Sequence, residues 1–196
     1  MWNTYNPLNF DYFLVVDLEA TCNNDGSIPK EEMEIIEIGA VMYDRKQMRV
    51  ISEFDTLVRP TRNPILSEFC KELTTITQNK VCEAPKFTEA FPKFIEWYES
   101  FNPVDNRILF SSWGEYDKNQ MLRDCAFHGI KYPFGVKHLN IRKYFSHVHK
   151  KGRLVGVKKA LRNIGLGFEG THHRGIDDAR NIARLLENSI AKDLLD

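Results

Sequence analysis

Much of what would set this chain apart from ordinary folded proteins is missing from it. No apolar run approaches the roughly 20 residues that cross a bilayer, and Met1 to Phe10 lacks the basic start and apolar core of a secretory leader. An intracellular, cytoplasmic protein with no membrane partner is expected. Cysteine is sparse: Cys22, Cys70, Cys82 and Cys125 form no C-x-x-C pair and no spacing suited to zinc or to a disulfide framework. Free thiols that mostly fill core are the expectation. Internal repeats and low-complexity linkers are absent too. The 196 residues therefore read as a single domain, 1–196 with its core at about 10–192, and with no added nucleic-acid-binding module on either side.

The most informative absence concerns sign. Net charge is zero, yet the stretch from Cys125 to Phe168 contains no Asp or Glu. It carries Lys131, Lys137, Arg142, Lys143, Lys150, Lys151, Arg153, Lys158, Lys159 and Arg162, which leaves 17 basic against 27 acidic residues elsewhere. Neutrality here is a cancellation. A basic stretch beside an acidic body suits a surface that holds phosphates next to a carboxylate pocket that holds metal ions. The plain alternative is a solvated lysine-rich face.

What is present includes 42% hydrophobic residues, enough for a packed core. Phe13 to Val16 is a short apolar run that ends in Asp17-Leu18-Glu19, the pattern of a buried central strand emerging into a polar site. Glu34–Tyr43 and Val50–Val58 are rich in β-formers and predict an antiparallel pair. Ile65 to Tyr98 predicts helix in pieces punctuated by Pro85 and Pro92. Arg107–Trp113 predicts a fourth strand, and Tyr116–His128 a helix stopped by Gly129. His138–Phe145 predicts a fifth strand, Leu154–Ile164 a helix ended by Gly165, and Asp178–Ser189 a last helix with Ile182, Leu185 and Leu186 on one face. Strands followed by alternating strand and helix make a mixed α/β sheet protein.

Residues two apart on a strand share a face, so Asp17 and Glu19 project side by side. Paired carboxylates repel unless a cation neutralises them, and hard oxygen ligands suit Mg²⁺ or Mn²⁺. Alternatively, one acid caps the turn from Thr21 to Gly26 and the other is solvated. Asp117 falls in the first turn of a predicted helix, where a carboxylate also favours the helix dipole. If the first and fourth strands are parallel, it reaches the same crevice beyond their carboxyl ends.

In His172-His173-Arg174-Gly175-Ile176-Asp177-Asp178, His172 with Asp177 and His173 with Asp178 have the same spacing, which cannot choose between them. At about 100° per residue, Asp178 lies within about 40° of Ile182 and Leu185, whereas Asp177 aligns with Asn181, Arg184 and Asn188. Asp178 is therefore expected to point inward and Asp177 to act as a cap. Four acids and a histidine fit two-metal phosphodiester hydrolysis, in which an imidazole of ordinary pKa near 6.5 takes a proton from water. His173 suits that duty. Trp113 and Tyr116 flank Asp117 as bases' stacking partners or, for Trp113, as core. Lys150, Lys151, Lys158 and Lys159 are candidate phosphate contacts.

The stretches FLVVDLEATC, EIIEIGAV, SWGEYD, HLNIRKYF and GLGFEGTHHRGIDDARNIARLL resemble the DEDDh 3′→5′ exonucleases of the ribonuclease H-like superfamily, in its Eri-1-like and KapD-like group. The resemblance implies a five-stranded mixed sheet flanked by helices and two divalent cations, Mg²⁺ or Mn²⁺, on Asp17, Glu19, Asp117 and Asp178. It also implies His173 as general base, backbone contacts of Ala20 and Thr21 with the terminal nucleotide, and release of nucleoside 5′-monophosphates from 3′ ends. Single-stranded RNA is the favoured substrate, with DNA the alternative and a non-catalytic binding module or scaffold the competing classes. One departure is Leu73-Thr74-Thr75-Ile76, where relatives often have Thr-Gly-Ile. It bears on the contacts of that loop with the terminal sugar, because Thr adopts φ > 0 less freely than Gly.

Overall fold

The computed structural model describes residues 6–104 and 107–195. Five strands form one sheet: β1 (Tyr12–Ala20), β2 (Ile35–Asp44), β3 (Arg49–Leu57), β4 (Ile108–Ser112) and β5 (Leu139–Asn140). Their spatial order is β3-β2-β1-β4-β5. The pairs β1–β2 and β2–β3 are antiparallel, whereas β1–β4 and β4–β5 are parallel. Among the described residues, seven α-helices flank the sheet: α1 (Glu68–Thr74), α2 (Gln78–Glu83), α3 (Phe87–Glu99), α4 (Tyr116–Phe127), α5 (Ile141–Val148), α6 (Val157–Asn163) and α7 (Gly175–Asp193).

The run Phe13–Val16 of β1 is apolar because both faces of the strand are covered. Phe13 and Val15, with Val41, Tyr43 and Leu109, pack with residues of α5, α6 and α7. Leu14, Val16 and Leu18, with Ile38, Ala40, Met42 and Phe110, pack with residues of α3 and α4. The two-residue period places Asp17 and Glu19 in the same row as Phe13 and Val15, on the side of the sheet that α7 covers.

A close backbone approach brings α7 to that side. A Cβ on Gly39 of β2 would lie 2.0 Å from the carbonyl carbon of Gly175, and a Cβ on Gly175 would lie 3.0 Å from the Asp17 carbonyl oxygen. Only glycine at both positions lets the first turn of α7 rest against the central strands.

Four expectations are corrected. Helix α3 runs through Pro92 without a break; Pro92 and Thr88 are both exposed, so the carbonyl left without an intrahelical donor faces water. HLNIRKYF supplies a strand of only two residues and then α5. Asn140 Oδ1 accepts from the Lys143 N–H at 3.0 Å, and the buried residues Ile141, Tyr144, Phe145 and Val148 follow a helical period. Asn181, expected on the solvent side of α7, is fully buried; its amide donates to the Glu169 carbonyl and accepts from the Glu169 N–H. Among the cysteines, Cys70 and Cys125 are buried, Cys82 is exposed and Cys22 is partly exposed, so core filling describes only two.

Candidate active site

Strand β4 ends its pairing with β1 at the level of Val15, and the last residues of β1 therefore have an open edge on that side. Asp117, in the first turn of α4, fills it: its Oδ1 accepts the Leu18 N–H at 3.1 Å. Asp17 and Glu19 project toward α7, where Asp178 meets them. One oxygen from each of Asp17, Glu19 and Asp178 can be chosen so that all lie within 4.8 Å of one another. Asp117 stands beside this group, first among the charges that act on Asp17.

The electrostatics reflect the crowding. Burial, and then the charges of Asp117, Asp178 and Glu19, hold the Asp17 carboxyl well above the usual range. Burial and the neighbouring Asp178 push Glu19 up to about 9. Burial raises Asp117 to about 6 against the opposing pull of the Leu18 N–H, and raises Asp178 to about 6 against the N–H groups of His173 and Arg174. Carboxylates so placed are expensive to ionise together without a cation. The donor set, oxygen only, is that of a hard divalent ion.

Both histidines lie at this cluster but in different ways. His173 Nδ1 is 4.0 Å from Glu19 Oε1, and its N–H donates to Asp178 Oδ2 at 2.6 Å. Its φ is +64°, a left-handed conformation. His172 Nε2 is 3.8 Å from Asp178 Oδ1, and its ring packs edge-on to Phe168. Burial lowers the pKa of both. Asp177 does not cap the helix; its Oδ2 accepts the Thr171 N–H at 2.8 Å, and its Oδ1 pairs with Arg180.

A cavity of about 480 Å³ opens over the acids, and its wall includes Asp17, Glu19, Ala20, Trp113, Tyr116, Asp117 and His173. His172 and Asp178 are not part of that wall. Trp113 serves in two ways, since it lines the cavity while its Nε1 donates to the Val155 carbonyl and its ring packs on Phe145. Thr21 is buried, and its N–H and hydroxyl are both engaged with Glu34. Lys158 lies close enough to lower the pKa of both histidines. Lys150 and Lys151 line a separate groove with Lys143 and His147. Lys159 is exposed.

Among the cavity-wall residues that the sequence reading did not assign to the site are Cys22, Met33 and Arg142. Arg142 sits in α5, the segment expected to be strand; a helical period there would have turned it toward the site. Thr75 takes φ +61° as the C-cap of α1, so the left-handed turn is made despite a β-branched residue, at a cost of about 1 kcal/mol or more.

A mixed sheet in this order, with carboxylates gathered at the end of its central strand, is the ribonuclease H-like arrangement of the DEDDh nuclease domains. The profile of the RNase T exonucleases matches residues 14–186, and the chain belongs to that family. A rat protein named 3′-5′ exoribonuclease 1 is 34% identical over 180 residues, which cover 90% of this chain and 52% of the relative. The 3′-5′ exonuclease eri1 of Schizosaccharomyces pombe is 31% identical over 93% of this chain and 69% of its own length. The chain thus spans about half the length of the rat relative. Among solved structures, the nuclease domain of 3′hExo, a DEDDh family member bound to rAMP, is 32% identical, with a TM-score of 0.84 over 91% of both chains. Exonucleases of the DEDDh type use divalent metals, and the acidic cluster is placed accordingly.

Proposed function

We propose that this chain is a 3′→5′ exonuclease that removes nucleoside 5′-monophosphates from the 3′ ends of single-stranded nucleic acid, RNA in preference to DNA. The observation that carries the reading is the convergence of Asp17, Glu19 and Asp178 within 4.8 Å, beneath a cavity that also exposes Asp117 and His173. In this reading the four acids hold two divalent cations, Mg²⁺ or Mn²⁺. When bound, such ions lower the pKa of water and neutralise charge on the phosphoryl group.

The chain's own residues supply the rest. His173, with its pKa lowered by burial, is neutral at physiological pH and accepts the proton of the attacking water, with Nδ1 beside Glu19. Tyr116 and Trp113 face the cavity as stacking surfaces for the terminal bases. Ala20 lines the cavity at the end of β1, close to the position of the terminal sugar, and Leu73 does so from α1. Arg142 in the wall and Lys158 beside His173 are the cations best placed for the phosphates. The preference for RNA is supported by the rat relative's name and by the rAMP held by the solved nuclease domain.

The test is product analysis on matched 5′-labelled RNA and DNA oligonucleotides, with Mg²⁺ or Mn²⁺ and with chelator. A ladder shortening from the 3′ end of RNA, released 5′-monophosphates and abolition by chelator are expected. Degradation of DNA alone overturns the sugar preference, and activity that survives chelation overturns the metal assignment.

A further inference from the structure

One polar cluster, buried at Ser112 and His138 and open to the cavity at Glu115, has no part in the chemistry above. Ser112, at the end of β4, is fully buried, and its Oγ lies 2.9 Å from His138 Nε2 and donates to the Gly114 carbonyl at 2.9 Å. His138 Nδ1 lies 3.3 Å from Glu115 Oε2. The other Glu115 oxygen accepts from Asn140 Nδ2 at 2.9 Å and from Lys143 Nζ at 3.3 Å. Hydroxyl, imidazole and carboxylate follow in the order of a hydrolytic triad, but Ser112 is sealed from the cavity, so it cannot act as a nucleophile.

What the cluster grips is the turn between β4 and α4. Ser112 precedes that turn as the last residue of β4, Glu115 is its last residue before α4, and Asp117 lies in the first turn of the helix. The Ser112 side chain also lies near the Asp117 carboxylate and acts to lower its pKa. A third hold comes from the Arg142 N–H, which donates to the Trp113 carbonyl at 3.2 Å. The turn that delivers Asp117 is thus clamped from β5 and the start of α5, and the His138 side chain touches both of its ends.

We propose that His138 is a positioning residue for the candidate metal site: by bridging Ser112 and Glu115 it fixes the turn that sets the Asp117 carboxylate beside Asp17. The inference rests on the metal-site reading above. Partners that orient metal ligands commonly govern metal affinity by 10- to 100-fold when lost. His138→Phe keeps the ring volume, which packs near Phe110, and removes both nitrogens.

The experiment measures Mn²⁺ binding by calorimetry on substrate-free protein, together with the Mn²⁺ dependence of oligonucleotide hydrolysis. For His138→Phe, the Mn²⁺ affinity should fall about 10-fold or more, activity should recover at saturating Mn²⁺ and the KM for oligonucleotide should stay near wild type. His138→Gln, which retains polar atoms in the same direction, should restore part of the affinity. Glu115→Gln leaves the buried imidazole in place and should shift metal affinity in the same direction, which covers the case in which His138→Phe fails to fold. Unchanged Mn²⁺ affinity in a folded His138→Phe or Glu115→Gln protein overturns the proposal. Absence of Mn²⁺ binding in the wild type would instead bring down the metal-site reading on which it rests.

Discussion

The acids and the bases of this chain behave in opposite ways on folding. Asp17, Glu19, Asp117 and Asp178 come from a strand and two helices far apart in sequence, yet they gather at one site. The ten cations between Cys125 and Phe168 are neighbours in sequence, yet they scatter. Arg142 enters the cavity wall, Lys158 stands by the histidines and over the Phe168 ring, Lys143 pairs with Glu115, Lys150 and Lys151 line a separate groove, and Lys137 lies over the ring of Phe10. The acids ride on buried elements whose packing dictates where they point. The cations ride on exposed turns and short helices, where solvent competes for them. Convergence of the acids is therefore energetically costly and built in, whereas the spread of the bases costs little and is easily altered.

The sharpest way to break the comparison is to remove a member of the converging group. Asp17→Asn should lower hydrolysis on the order of 10³-fold, since the site would lose charge that balances the cations. Its effect on the metal-free fold should have the opposite sign. The folded-state pKa values of these carboxyls lie above their unfolded values, with Glu19 at about 9 and Asp117 and Asp178 at about 6. A group raised in this way favours the folded state at low pH and loses that contribution as pH rises through the folded value. In chelator, the wild type should therefore lose stability as pH rises from about 4, the ordinary carboxylate range, to about 9, the folded value of Glu19, and Asp17→Asn should lose less. Thermal denaturation with and without Mn²⁺ reads both effects. Hydrolysis within about tenfold of wild type would remove Asp17 from the metal site.

A second test asks what holds the crowded end together. Glu37 is fully buried in β2, and Arg174 grips it with contacts of 2.8, 3.0 and 3.2 Å while the Gly175 N–H donates to it at 2.9 Å. This pair fixes the loop that carries His173 to the sheet. Arg174→Met would strand a buried carboxylate next to Asp17 and Glu19, at a cost of about 3–5 kcal/mol in urea denaturation. The double change Glu37→Gln with Arg174→Met should recover much of that. A loss under about 1 kcal/mol for the single change would show that the loop is held by something other than the ion pair.

How much of this was legible in sequence follows the same division. Asp17 and Glu19 announce themselves because a period of two at the end of an apolar run forces them together. Asp178 separates from Asp177 by helix phase alone, and the structure buries it as that phase requires. What stayed hidden depends on contacts between distant residues. Nothing in one sequence says that Gly39 and Gly175 touch, or that Arg174 reaches Glu37. The same holds for His138 and the Ser112–Glu115 turn. Arg142 was missed for a local reason. Ile141, Tyr144, Phe145 and Val148 already have the i, i+3, i+4, i+7 spacing of a helix, a period that the strand reading of His138–Phe145 overlooked. The cations could be counted from sequence but not located, because no burial constrains them.

The smallest predicted effect lies at the scattered end. Lys150 and Lys151 share their groove with Lys143 and His147, and the two adjacent α5 residues Arg142 and Lys143 face the cavity and the groove respectively. A strand whose 3′ end occupies the cavity could lay its upstream phosphates there. Each phosphate contact on a single strand contributes about 0.7 to the slope of log K against log salt concentration. Replacing both lysines by Gln should then flatten that slope by about 1.4 for a long oligonucleotide, raise its KM severalfold and leave the turnover of a dinucleotide unchanged. An unchanged slope would mean that these lysines are a solvated face. The charge cancellation seen in the sequence would then mark function only through Arg142 and Lys158, the two cations that folding carries to the acids.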